Sequence, residues 1–157
     1  MNFVEEPKQR IFNESLEERA IEFHGHDGPY MVIGLRMGLT ALEMLDCKGW
    51  FDLECEVRLN WNPPDSCVID GIQSSTGCTM GKKNISVMEQ SGVIACFMSG
   101  EKELTLVLRP EVVSMINDNM VGEDMHCHEY LRNSMGSQLA LSQDYCGACG
   151  IYPCSSS

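Results

Sequence analysis

Pro29-Tyr30-Met31-Val32-Ile33-Gly34-Leu35-Arg36-Met37-Gly38-Leu39-Thr40-Ala41-Leu42-Glu43-Met44-Leu45 is the stretch whose reading decides the fold. Its apolar residues recur too often for one stripe of a surface helix, so it reads as a central helix that is buried over most of its circumference. Pro29 suits the first turn, where the missing N–H leaves no bond unmade. Gly34 and Gly38, four apart, allow another backbone to come close to this helix. Upstream, Asn13 caps a helix running through Phe23, with Phe12 ahead of it and Leu16, Ala20 and Ile21 at helical spacing. His24-Gly25-His26-Asp27-Gly28 separates the two helices.

Downstream the period changes. From Phe51 to Trp61 the residues alternate, with Leu53, Cys55, Val57 and Leu59 on one face and Glu54, Glu56 and Arg58 on the other, as in a half-buried strand. Pro63-Pro64 end it, and Asp65 is placed to cap a short helix over 66–74. Strands are expected near 85–89, 93–98 and 104–108, a helix from Pro110 to about Met120, and another over 126–141. Helices at both ends around a central group of strands indicate an α+β fold, a small antiparallel sheet packed around the buried central helix. The expected division is an α+β domain over 1–125, followed at 126–157 by a helix and a short Cys-rich tail.

Lys+Arg number 11 and Asp+Glu 23, a net charge of −12, which leaves no basic surface for nucleic acid or an anionic membrane. No run reaches the roughly 20 apolar residues of a membrane span, and no secretory pattern opens the chain, so a cytoplasmic location is expected. In a reducing compartment nine cysteines point to metal or redox chemistry rather than cross-links. Cys47, Cys55 and Cys96 read as apolar fillers.

Two groups of potential ligands stand out. The first joins His24, His26, Cys67 and Cys78; imidazole with thiolate suits zinc or another transition metal. Cys67 falls in the first turn of its helix, where the dipole favours thiolate. Asp70, one turn beyond Cys67, is placed to orient a histidine, and Asp27, Gln73 and Lys82 are further candidates for a supporting or substrate-binding role. The alternative is that these histidines end helices while the thiols fill the core. The second group is Cys146, Cys149 and Cys154 with Cys127 and His128, a possible second metal site or, at Cys146/Cys149, a redox pair.

Phe23-His24-Gly25-His26, then Pro29 and Gly34-Leu35-Arg36-Met37-Gly38, resemble the opening of the FmdE family of formylmethanofuran dehydrogenase proteins. Cys67-x-x-Asp70-Gly71-Ile72-Gln73 and Thr76-Gly77-Cys78-Thr79-x-Gly81-Lys82-x-Asn84 are similar to its second signature, and the likeness spans about residues 15–110. Where the family commonly has cysteine before the first proline, this chain has Gly28, one soft ligand fewer. The resemblance implies an α+β homodimer with a metal site at His24, His26, Cys67 and Cys78. It also implies a connection with the enzyme that reduces carbon dioxide onto methanofuran in methanogenesis, whose other subunits become candidate partners. The expected function is therefore an accessory, assembly or metal-handling role. A stand-alone zinc or other transition-metal enzyme, and a thiol redox or sulfur-transfer protein, are the alternatives.

Overall fold

The computed structural model describes residues 13–119 and the pair 140–141. In chain order the elements are α1 (Glu14–His24), α2 (Pro29–Met44), β1 (Glu54–Leu59), α3 (Cys67–Thr76), β2 (Ile85–Glu89), β3 (Val93–Ser99), β4 (Lys102–Leu108), α4 (Pro110–Asn119) and β5 (Ala140–Leu141). The expected α+β class holds. Asn13 caps α1 as its sequence position requires, its side-chain oxygen accepting from the Leu16 N–H at 2.8 Å. The sheet runs β2-β1-β3-β4-β5.

The sheet differs from the expected antiparallel one in a single pairing. β1 and β2 lie parallel, while β1–β3, β3–β4 and β4–β5 are antiparallel. The reason is α3: a helix inserted between two neighbouring strands returns the chain in its original direction, which a tight hairpin cannot do. The alternation read in β1 is observed, with Cys55, Val57 and Leu59 each no more than 3% exposed. They join Val93, Ala95, Phe97, Leu104, Leu106 and Leu108 in a core shared with α2 and α3. Cys96 is not a simple filler: it is 1% exposed and disulfide-bonded. The helix expected over 126–141 lies outside the described residues except for its last two, which form β5.

α2 is the buried helix its composition demands, with Met31, Val32, Ile33, Leu35, Met37 and Ala41 fully enclosed. Its glycines serve α3. A Cβ on Gly34 would overlap the Val68 carbonyl oxygen, one on Gly38 the Ser75 hydroxyl, and one on Gly71 of α3 the Met31 carbonyl oxygen. The two backbones therefore touch, and since residue 34 meets 68–72 while 38 meets 75–76, the helices run side by side in the same direction. The Gly34/Gly38 stripe is thus occupied within the chain and supplies no surface for a second copy. The N-terminal ends of α2 and α3 also lie together, next to the turn that carries His24 and His26.

Candidate metal centre at the histidine turn

α1 ends at Gly25, whose left-handed conformation (φ 100°) returns its N–H to the Ile21 carbonyl at 2.6 Å. This leaves His24 in the last turn of α1, facing α3. His24 Nδ1 donates to Asp70 Oδ2 at 2.6 Å, and the His24 side chain is only 7% exposed. Asp70 thus settles which ring nitrogen carries the proton. The other nitrogen, Nε2, is buried and has no hydrogen-bond partner. A buried, unsatisfied polar atom on a residue whose other ring atom is firmly held has an identifiable cost, about 1–3 kcal/mol. Such an atom suits a ligand to an ion or the acceptor of a proton.

His26 lies against His24, ring centroids 4.5 Å apart and planes tilted by 36°, on the exposed side of the turn. Asp27 is half-buried beside it. Cys67 is half-buried at the start of α3, but its thiol does not show the acidity expected from the helix dipole. Burial, then the carboxylates of Asp70 and Asp65, push its pKa up from the ordinary cysteine value. The Cys67 N–H works in the opposite direction, toward thiolate, but is outweighed. Ser66, not Asp65, is the N-cap, and it makes no side-chain capping bond.

Cys78 is elsewhere. It follows the far end of α3, a ten-residue helix whose length is about 15 Å. It is 0% exposed, and its thiol donates to the Leu53 carbonyl at 3.5 Å. There it neighbours Cys55, whose pKa is raised well above normal by burial, with Cys78 and Glu56 adding to the effect. The expected four-ligand set is therefore not assembled: His24, His26, Asp70 and Cys67 belong to one end of α3 and Cys78 to the other. Among the described residues, no three His, Cys, Asp or Glu side chains are placed to share one ion. His24 fits a metal ligand by its held tautomer and its unsatisfied nitrogen; Cys78 does not fit one.

The rest of the second motif forms a clasp. Asn84 donates to the carbonyls of Trp50 and Leu53 and accepts from the Thr79 N–H at 2.9 Å. Trp50 N–H in turn donates to the Thr76 carbonyl at 2.8 Å. Lys82 is drawn into the same loop, with Nζ 2.9 Å from Thr79 Oγ1 and 5.7 Å from the centre of the Phe51 ring, and so does not serve the histidine turn. Gln73 is half-buried in α3, its carbonyl accepting from the Gly77 N–H that closes the helix at 2.9 Å. The structural role of Asn84 is not legible in the sequence, where it is only the last letter of a motif. Cys127, His128, Cys146, Cys149 and Cys154 lie outside the described residues.

The sequence model described as "FmdE, Molybdenum formylmethanofuran dehydrogenase operon" matches residues 23–139. The chain belongs to the FmdE family. It is also 31% identical over 99 residues to a probable S-adenosyl-L-methionine-binding protein of Archaeoglobus fulgidus. That match covers 59% of this chain and 23% of the relative, so the chain corresponds to about a quarter of the relative's length. Among the described residues no helix is long and apolar enough to cross a membrane.

Proposed function

We propose that this FmdE protein is a metal-handling accessory of formylmethanofuran dehydrogenase, the system that reduces carbon dioxide onto methanofuran, with His24 and His26 as its principal protein donors. The observation that carries this reading is the buried, unpartnered Nε2 of His24, opposite an Nδ1–H held by Asp70. That pairing is how proteins orient an imidazole toward a cation. Imidazole is a borderline donor, which favours zinc and its neighbours over calcium or magnesium. Few convergent protein ligands also suit loading and release better than a closed structural site, which takes four. Such a cation would act as a Lewis acid or as cargo. The chain's own contribution is to orient His24, to present His26 beside it and to keep Nε2 dry.

A second reading rests on the same bond. A cation held by His24, with positions left open to water or substrate, is also the arrangement of a stand-alone metalloenzyme. The two readings differ in the fate of the bound ion: transfer to another protein, or turnover with the ion retained.

The test is elemental analysis of anaerobically purified full-length protein, wild type beside His24→Ala and Cys78→Ala. The proposal expects a transition metal in the wild type and in Cys78→Ala, and loss of it in His24→Ala. A wild type without metal that also fails to take up zinc or cobalt in titration overturns it. Exchange of the loaded ion to a chelator within minutes favours handling; retention over hours favours the enzyme.

A further inference from the structure

Gly28 occupies the N-cap of α2 in an extended conformation, φ −128° and ψ 150°, which any residue adopts without strain. It makes no side-chain capping bond, and serine, asparagine or aspartate would cap the helix better. Neither the backbone nor the helix therefore asks for glycine here. A side chain here would instead press on one neighbour, which would have to give by a few tenths of an ångström. A Cβ at this position would lie 3.0 Å from His26 Nε2, 3.4 Å from its Cδ2 and 3.9 Å from its Cε1, so the three nearest atoms all belong to one imidazole. That imidazole is the one resting on His24.

We propose that Gly28 is a positioning residue: the space left by its missing side chain seats His26 against His24, and the bulk at position 28 decides whether a second imidazole is available beside His24 Nε2. The ligand class is the one proposed above, a borderline divalent cation, and that half of the inference rests on the preceding reading. The two rings play unequal parts. His24 is enclosed and held by Asp70, so its place is independent of residue 28. His26 is exposed and makes way for an added side chain by turning toward solvent, which leaves the packing of α2 on α3 intact. Glycine at a helix start where a better cap was available is thus explained by the neighbouring donor rather than by the helix.

The experiment is a graded series, Gly28→Ala and Gly28→Val, made in the wild type and in His26→Ala, using the full chain. Two quantities are read: the His24 imidazole resonances in metal-free protein, which feel the adjacent ring, and zinc affinity by competition with a chromophoric chelator. The expected result is a small displacement of the His24 resonances in Gly28→Ala and a larger one in Gly28→Val, approaching the His26→Ala spectrum. Zinc affinity falls in the same order, by about 10-fold or more for Gly28→Val, and Gly28→Val causes no further loss once His26 is alanine. Equal losses in both backgrounds, or a Gly28→Val protein with wild-type resonances and affinity, overturn the proposal. Absence of zinc binding in the wild type overturns the metal reading and the ligand half of this one. His24 resonances that stay unchanged in metal-free Gly28→Val overturn the seating of His26 by themselves.

Discussion

The two ends of α3 use similar residues to opposite effect. At the N-terminal end, His24, His26, Cys67 and Asp70 gather at a turn, and one buried ring nitrogen is left without a partner. At the C-terminal end, Cys78, Thr79, Lys82 and Asn84 satisfy one another and the loop holding Trp50 and Leu53, and Cys78 is sealed in the core. The contrast teaches where chemistry can reside. A network that completes its own hydrogen bonds holds the fold, whereas an atom kept ready but unsatisfied is available to something from outside.

The largest expected effect removes what both ends share. Gly71→Ala places a methyl group against the Met31 carbonyl, separates α2 from α3 and lowers stability by about 3 kcal/mol. Urea denaturation followed by circular dichroism measures it, and a loss below about 1 kcal/mol would mean that the helix contact is not tight.

Next comes the closed end alone. Asn84→Ala frees two carbonyls and one N–H and costs about 2 kcal/mol, while zinc affinity of the folded protein stays at the wild-type value. A selective drop in affinity without destabilisation would show that the two ends act as one site.

The open end responds in the reverse sense. Asp70→Asn keeps the shape but weakens the hold on His24 Nδ1, so zinc affinity drops about 10-fold while the stability change stays within about 1 kcal/mol. Equal affinity in calorimetric titration would show that Asp70 does not orient a ligand.

The smallest effect separates the ends by pH. The folded pKa of Cys55 lies above its unfolded value because of burial. Below the ordinary thiol range both states hold the proton, and the stability contribution is fully present. As pH rises past about 8.5, the unfolded chain binds fewer protons than the folded one and stability falls. The urea midpoint should therefore decline from about pH 8 to about pH 10, with a shallower decline in Cys55→Ala. An identical slope in that variant would place the responsible group elsewhere.

Much of this architecture is legible in the sequence because it depends on local period. The all-round apolar character of 29–45, the alternation in 53–59 and the capping oxygen of Asn13 each state a burial pattern directly. The pairing of His24 with Asp70 is within reach too, since Asp70 stands one turn from Cys67 on a helix. The parallel β1–β2 pair departs from the expected antiparallel sheet, although the intervening α3 implies it. The thiol of Cys67 is less acidic than its helix position suggests, because its burial and the nearby carboxylates are not visible in one dimension.

Between residues 13 and 119 the order of residues alone determined which segments are helix or strand and which faces turn inward, and it also determined which family the chain belongs to, because those properties follow from short-range spacing. Tertiary structure alone decided that Cys78 is core and that His24 keeps a nitrogen free of partners. Sequence neighbours on either side of a helix are separated by its whole length, while Gly34 and Gly71, far apart along the chain, bring two helix beginnings together. Which donors share a site is therefore a matter of how helices pack, and spacing within a motif carries no record of that.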